Sequence, residues 1–240
     1  MDPIENLRTL HGEEEMVRVQ SLTTIEQRAD LHDHLAIIAE TMNLIWAFSL
    51  EHTYQDDDEL TMQLLGIRLF NAAAVSVKLA LSGYYQKGLV HLRDVIETGF
   101  LIDYLTTCPD KIPEWKAADK KNRKNVFGPA AIRKALDERD RYTGEKRKAI
   151  YDLISEAASH ASYRGFSLLL NAENLGEIGP FFDEKKLTVW LQDLAKHLPI
   201  FAAQLVPVQD GDLKLLATCD HFIAAWRTWA AKYFRVMIPS

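Results

Sequence analysis

The sequence lacks the short motifs that mark the commonest enzyme classes. It has no Gly-x-x-x-x-Gly-Lys-Ser/Thr phosphate loop, no Gly-x-Gly-x-x-Gly fingerprint, no His-Glu-x-x-His, no Cys-x-x-Cys and no Gly-x-Ser-x-Gly nucleophile elbow. No glutamate has a histidine three residues later, which is the pairing that di-iron helical bundles use. We therefore expect no recognised catalytic motif, no metal and no cofactor. A three-histidine metal site built from His160, His197 and His221 is the alternative that this pattern leaves open.

Cysteine is scarce as well, with only Cys108 and Cys219 in 240 residues. Two cysteines are too few for a disulfide framework, which favours a reducing compartment. Residues 1–15 are acidic and polar, without the basic and apolar regions of a signal peptide. No uninterrupted apolar run approaches the roughly 18 residues that a bilayer span requires. The sequence therefore predicts a cytoplasmic protein with no membrane partner.

Charge is distributed unevenly along the chain. The net charge is −6, yet the segment from Lys111 to Lys148 holds 13 Lys and Arg against 6 Asp and Glu, a local excess of +7. Such a block could bind nucleic acid phosphates or an acidic partner, or it could be the solvated faces of two charged helices, which we favour. The residues that we predict to bind nucleic acid, if the block does so, are Lys120, Lys121, Arg123 and Lys124.

Hydrophobic periodicity predicts an all-α fold. With 48% hydrophobic residues, the chain can bury one sizeable core, and the pattern indicates a bundle of six to eight helices. A small β-hairpin or an ordered loop is expected near residues 163–182. Residues 1–20 have no clear periodicity and are predicted to be an arm, and residues 21–240 a single helical domain. Thr23 and Glu26 have capping-box spacing, which predicts a helix that starts there.

The central element of the predicted bundle is an amphipathic helix over Tyr84–Thr107. Its apolar arc contains Gly88 and Gly99, which would let another backbone approach closely. Arg93 and Glu97 lie four residues apart at the edge of that arc, where they can pair while partly desolvated. We expect both side chains to be largely buried.

A later helix, predicted over residues 145–159, carries the second half of the polar centre. Its pattern predicts that five apolar residues are buried, namely Ile150, Leu153, Ile154, Ala157 and Ala158. Tyr151 and Ser155 share one face and could form hydrogen bonds to Arg93 and Glu97 on the facing helix. We favour the interpretation that these four residues form a buried polar network that fixes helix register. The alternative is an RNA or nucleotide site built on the same groups.

These residues also carry a family resemblance. The order of elements is a core helix with Leu92, Arg93 and Glu97, a charged insertion, a helix with Tyr151 and Ser155, and then a histidine. This order resembles an uncharacterised bacterial branch of the HEPN-like helical proteins. The resemblance covers roughly residues 70–170.

That resemblance implies a helical bundle, often dimeric, in a superfamily in which some members are metal-independent ribonucleases. The active members carry an arginine shortly before the catalytic histidine, and no arginine lies four to seven residues before His160. A ribonuclease of this type would therefore use His160 with Arg93 or Arg164.

The last predicted helix, residues 213–234, is unusually aromatic. Its aromatic residues include Trp226, Trp229, Tyr233 and Phe234. Aromatic side chains are enriched where subunits meet, so we predict a homodimer. The function that we favour is a binding or regulatory protein, of a phage-defence or mobile-element system, whose partner is RNA or a protein. The alternative is a metal-independent endoribonuclease of HEPN type.

Overall fold

The computed structural model describes residues 3–158, 163, 165–206 and 212–234, which form ten α-helices and no β-strand. The helices are α1 (Pro3–Gln27), α2 (Ala29–Trp46), α3 (Asp57–Leu81), α4 (Tyr85–Thr107), α5 (Lys111–Ala117), α6 (Lys120–Asn125), α7 (Pro129–Arg139), α8 (Lys146–Ala158), α9 (Glu184–Leu205) and α10 (Leu213–Tyr233). A π-helical turn, Ala47–Glu51, follows α2, and a 3-10 helix, Gly165–Leu169, follows α8. The all-α prediction is confirmed. The predicted count of six to eight helices is too low, since the described ranges hold ten.

The predicted N-terminal arm is helical, since residues 3–20 belong to α1. Thr23 does not cap a helix start, because it lies inside α1, and its neighbour Thr24 donates its hydroxyl to the Gln20 carbonyl at 3.0 Å. The chain breaks instead at Arg28, whose backbone is extended (φ −120°, ψ 108°). The Arg28 guanidinium lies 2.6 Å from Asp30 and 2.5 Å from Glu184. Ion pairs from Arg28 to α2 and to α9 therefore fix the position of the chain between α1 and α2.

The predicted hairpin near residues 163–182 is not confirmed. The described residues there form the 3-10 helix and one isolated antiparallel bridge between Leu170 and Gly176. Asn171 orders the intervening turn, because its side-chain oxygen accepts hydrogen bonds from the Glu173 and Leu175 amides at 2.9 and 3.0 Å. The segment is an ordered loop rather than a pair of strands.

The core lies where α4 packs against α3 and α9. Trp190 of α9 is fully buried, and its indole N–H donates to the Ser76 hydroxyl at 3.1 Å. Ser76 in turn donates to the Gly88 carbonyl at 2.7 Å. A Cβ at Gly88 would lie 3.2 Å from the Trp190 indole nitrogen, and one at Gly99 would collide with the Phe201 ring. The two glycines of α4 therefore leave room for large side chains of α9. This close packing holds α4 and α9 together.

Acidic residues begin three of the long helices. Asp56 accepts hydrogen bonds from the amides of Asp58 and Glu59 at 2.9 and 2.8 Å at the start of α3. Asp183 and Asp212 cap α9 and α10 in the same way. These contacts satisfy amides that have no partner inside the helix, so they define where each helix begins.

His52, just after the π-helical turn, joins the ends of three helical elements. Its Nδ1 lies 2.7 Å from Asp212, which caps α10, and its Nε2 lies 3.1 Å from Glu59 of α3. Burial by itself would lower the pKa of His52, but the two carboxylates outweigh burial and raise it. His52 therefore links the start of α3 and the start of α10 to the turn that follows α2.

The aromatic residues of α10 pack within the chain. Trp229 is buried and donates its indole N–H to His34 Nδ1 of α2 at 3.0 Å. The Tyr233 ring lies 4.5 Å from the His34 ring, and the Tyr233 hydroxyl donates to Asp33 at 2.8 Å. Burial lowers the pKa of His34, which keeps the imidazole neutral and able to accept that hydrogen bond. Much of the aromatic surface that suggested a homodimer is thus used inside one chain.

Helix α3 is the one helix in the described ranges that is long and apolar enough to cross a membrane by length and composition. Within its most apolar window, 44% of the residues are buried. It packs along α4 and also contacts α9. A core helix of a bundle meets the same criterion, because the core selects for the same apolar composition.

Candidate functional site

The predicted pair on α4 is formed and reaches α8. Arg93 Nη2 donates to Glu97 Oε1 at 2.9 Å and to the Tyr151 hydroxyl. The side chains of Arg93 and Glu97 are 30% and 24% exposed, so they are partly buried rather than largely buried as predicted. The pair lies at the edge of the core, where α8 packs on α4.

Ser155 does not join this network within the described part of the chain. Its side chain is buried on α8, one turn after Tyr151, but its hydroxyl has no hydrogen-bond partner there. Ser155 and its neighbour Ile154 are both buried on α8. A shared face does not by itself bring the hydroxyl within reach of Arg93 or Glu97.

A residue that the sequence did not reveal, Arg133 of α7, completes the cluster. Its guanidinium carbon lies 4.0 Å from the centre of the Tyr151 ring, and that of Arg93 lies 4.9 Å from the same centre. The face of an aromatic ring attracts cations, typically by about 0.5–2 kcal/mol. We call Arg93, Glu97, Arg133 and Tyr151 the open cluster.

Arg133 is the least satisfied member of the open cluster. The residue is only 7% exposed, and its Nε and Nη1 atoms are buried without a hydrogen-bond partner. No carboxylate in the described ranges forms an ion pair with it. The open cluster therefore has two guanidinium groups and one carboxylate, a net charge of +1. A buried charged donor without an acceptor is unfavourable.

A second group of charged residues, which we call the closed network, lies next to the open cluster. Its members are Asp103, Asp137, Arg139, Asp140 and Arg147. Arg139 binds Asp103 through two hydrogen bonds, at 2.6 and 3.1 Å, and binds Asp140 at 2.7 Å. Arg147 binds Asp137 at 2.8 Å and also contacts Asp140. These contacts join α4, α7 and α8.

Electrostatics within the closed network are strongly favourable. The hydrogen bond from Arg139 and the contact with Arg147 lower the pKa of Asp140 to about 2. The Arg139 pKa is raised, chiefly by its hydrogen bonds to Asp140 and Asp103. Each arginine of the closed network thus has carboxylate partners, in contrast to Arg133.

The basic segment predicted to bind nucleic acid forms α6. Its four basic residues are Lys120, Lys121, Arg123 and Lys124. All four are exposed, and none forms an ion pair with an acidic residue in the described ranges. Other lysines of the same charged region, such as Lys116, Lys134 and Lys148, do pair with a carboxylate. Helix α6 is therefore the densest run of unpaired positive charge between residues 111 and 148.

The remaining predicted catalytic residues, His160 and Arg164, lie outside the described residues. Of the other histidines weighed for a metal site, His197 contacts the Asp193 carbonyl at 2.7 Å, and His221 lies 3.1 Å from Glu40. Within the described ranges, no three or more His, Cys, Asp and Glu side chains group as metal ligands.

Sequence spacing gave one usable signal for Arg133. It lies three residues before Leu136 and one after Ile132, on the arc of α7 that both apolar side chains bury. A cation on a buried arc requires a partner, and Asp137, four residues later, is the obvious one by spacing. In the structure Asp137 binds Arg147 instead.

Comparison with known proteins gives no relative for this chain. No protein-family model matches it, no curated protein matches it and no solved structure matches it. What the chain binds is therefore inferred from its own residues.

Proposed function

We propose that this protein is a cytoplasmic helical binding protein that holds single-stranded RNA on α6. The observation that carries the proposal is the run of four exposed, unpaired cations on a helix of six residues. A cation that is not already paired can neutralise a phosphate and release its condensed counterion, which is the main source of affinity for a nucleic acid backbone. A cation held by a carboxylate must first give up that contact.

The HEPN-like resemblance of residues 70–170 selects RNA over an acidic protein as the partner. The proposal includes the homodimer predicted from α10 and a role in a phage-defence or mobile-element system. Light scattering tests the dimer, since one chain has a mass of 27.4 kDa.

Binding of a fluorescent single-stranded RNA, measured by anisotropy in EDTA over a range of salt concentrations, tests the proposal. A variant in which the four basic residues of α6 are replaced by glutamine should bind more weakly. The slope of log affinity against log salt should become shallower by up to about 3, because each lost phosphate contact contributes about 0.7.

The matched control changes charge equally without touching α6. It replaces four lysines that each pair with a carboxylate, namely Lys111, Lys116, Lys196 and Lys214. We expect this variant to bind nearly as well as the wild type. An equal loss in both variants would mean that net charge alone attracts RNA, which contradicts an α6 site.

The alternative function is a metal-independent endoribonuclease that uses His160 with Arg93 or Arg164. One observation favours it: Glu97 and Tyr151 hold the Arg93 guanidinium in a fixed, partly exposed position. The same RNA samples separate the two functions. A binding protein leaves the RNA intact in EDTA, whereas a ribonuclease cuts it and loses about 10²- to 10⁴-fold in rate on His160→Ala.

A further inference from the structure

A cleft of about 320 Å³ lies between α3, α4, α5 and α7. Three aromatic residues contribute to its walls, namely Phe100, Trp115 and Phe127, and its charged lining residues are Arg68 and Glu97. We call it the aromatic cleft. Its volume falls within the range of small-molecule pockets, and a few polar groups within mainly apolar walls are typical of such sites.

Helix α6 borders the aromatic cleft. Trp115 belongs to α5, which precedes α6, and Phe127 lies two residues after the end of α6. A Cβ placed on Gly128, between the lining residues Phe127 and Pro129, would lie 2.3 Å from the Lys124 carbonyl oxygen. The end of α6 therefore packs against a turn that forms part of the cleft wall. A nucleic acid strand bound on α6 has the aromatic cleft within reach.

Trp115 is the aromatic residue that remains open to the cleft. It is partly exposed, whereas Phe100 and Phe127 are only 8% and 5% exposed. Phe100 packs edge-on against Phe201, and Phe127 packs edge-on against Tyr104. In the described ranges, no aromatic ring stacks on Trp115. Its indole ring is therefore the stacking surface that the cleft offers to a planar group from outside the chain.

The charged residues of the aromatic cleft favour an uncharged ligand. Arg68 contacts Asp94 and donates to the Thr98 hydroxyl at 3.1 Å. Glu97 accepts from Arg93 at 2.9 Å through one carboxylate oxygen, and its other oxygen has no hydrogen-bond partner in the described ranges. The Glu97 carboxylate would repel a phosphate group. It can accept a hydrogen bond from a base, as glutamate does from the N4 amino group of cytosine.

We propose that the aromatic cleft holds one unpaired base of the RNA bound on α6, stacked on Trp115, while the flanking phosphates contact the cations of α6. This inference rests on the RNA binding proposed for α6. Proteins that bind single-stranded nucleic acids combine a basic surface for the backbone with aromatic side chains on which bases stack. Helix α6 supplies the basic surface, and Trp115 supplies the stacking platform beside it.

Two RNA strands of eight residues separate base binding from phosphate binding. One is abasic throughout, and the other carries a single cytosine at its centre, so both have the same phosphate charge. The full-length wild type should bind the strand with cytosine about 5- to 150-fold more tightly, because one base stacked on an aromatic side chain typically contributes that much. Fluorescence anisotropy in EDTA measures both affinities.

Three variants connect the difference to Trp115. Trp115→Leu removes the ring and should make the two strands bind equally, with the affinity for the abasic strand unchanged. Trp115→Phe keeps an aromatic ring and should retain part of the preference for the strand with cytosine. Trp46→Leu is the matched control, since it removes a tryptophan of α2 that is 48% exposed and does not line the cleft. It should leave both affinities unchanged.

Photo-crosslinking of the wild type decides the question if Trp115→Leu does not fold. A strand with a single central 5-iodocytosine is irradiated while bound, and mass spectrometry of the digested protein locates the crosslink. We expect the crosslink at Trp115. Crosslinks confined to residues outside the aromatic cleft would overturn the proposal.

The outcomes distinguish the cleft from α6. Equal binding of the two strands by the wild type, together with weaker binding when the four basic residues of α6 are replaced by glutamine, would overturn the cleft and leave α6 as a phosphate site. Absence of binding by both strands would overturn RNA binding on α6 and the cleft with it. A preference for cytosine that persists in Trp115→Leu would show that the base stacks elsewhere, which also overturns the proposal.

Discussion

The open cluster and the closed network lie side by side on α7 and α8, yet they differ in how their charges are matched. Arg147 of the closed network and Arg133 of the open cluster are similarly buried, with 12% of the Arg147 side chain and 7% of Arg133 exposed. Arg147 contacts Asp137 and Asp140, whereas Arg133 contacts a tyrosine ring and pairs with no carboxylate in the described ranges. Both arginines are largely removed from solvent, so the main difference between them lies in their partners.

This difference determines how much each arginine contributes to the stability of the fold. Buried ions with complete hydrogen bonding hold helices in register, and breaking them is costly because the remaining partner stays buried and charged. A buried arginine without an acceptor destabilises the folded state unless something binds to it. We therefore assign the closed network to the joint between α4, α7 and α8.

The largest effect in this comparison is expected at Arg147. Arg147→Met should lower the free energy of unfolding by about 3–5 kcal/mol, because Asp137 is left buried without its cation. Urea unfolding followed by circular dichroism measures the change. Arg139→Met is the companion variant. It should lower the free energy of unfolding by less than Arg147→Met, because a third of the Arg139 side chain is exposed. A cost below about 1 kcal/mol for Arg147→Met would mean that the network contributes little to stability.

The next effect concerns the acid stability of the closed network. The pKa of Asp140 falls from 3.8 to about 2 on folding, chiefly through its hydrogen bond with Arg139. A lowered carboxyl pKa stabilises the protein above pH 3.8, and this stabilisation disappears as pH falls through about 2. With partial exposure allowed for, the contribution at pH 7 is about 1–2 kcal/mol.

Unfolding of the wild type and of Asp140→Asn at several pH values tests this contribution. The two free energies should differ most at neutral pH and converge between pH 3.8 and about 2. A difference that is the same at every pH would show that the charge of Asp140 is not what stabilises the fold.

The smallest effect is expected in the open cluster, at Tyr151. Tyr151→Phe keeps the ring beside Arg93 and Arg133 and removes the hydroxyl that accepts from Arg93, which should cost about 0.5–1.5 kcal/mol. Tyr151→Leu also removes the ring and should cost about 0.5–1 kcal/mol more. Equal unfolding free energies for the two variants would mean that the ring does not stabilise the guanidinium groups.

The sequence allowed the bundle to be predicted where apolar periodicity was strong. The bounds predicted for α4 agree with Tyr85–Thr107 to within one residue, because a broad apolar arc must face the core. Helix α1 was missed because its apolar residues are sparse and several are exposed, among them Ile4 and Leu7. Ile150 and Leu153 were predicted to be buried but are 41% and 57% exposed, because a short helix at the edge of the bundle buries only its inner face.

The polar centre was only partly predictable for a different reason. Pairs within one helix, such as Arg93 and Glu97, follow from spacing. The choice of partner between helices does not, and Asp137 could have paired with Arg133 as readily as with Arg147. Arg133 has no carboxylate partner in the described ranges because Arg147, from α8, reaches Asp137. Only the packing of α7 against α8 determines that outcome.

The measurement that tests this account most directly is the unfolding free energy of Arg133→Met beside that of Arg147→Met, without added ligand. Methionine fills similar space and removes a buried charge in both variants. If Arg133 has no counter-charge, Arg133→Met should be at least as stable as the wild type, while Arg147→Met loses about 3–5 kcal/mol. A loss of that size at Arg133 would show that its charge is already paired, and would contradict the contrast between the open cluster and the closed network.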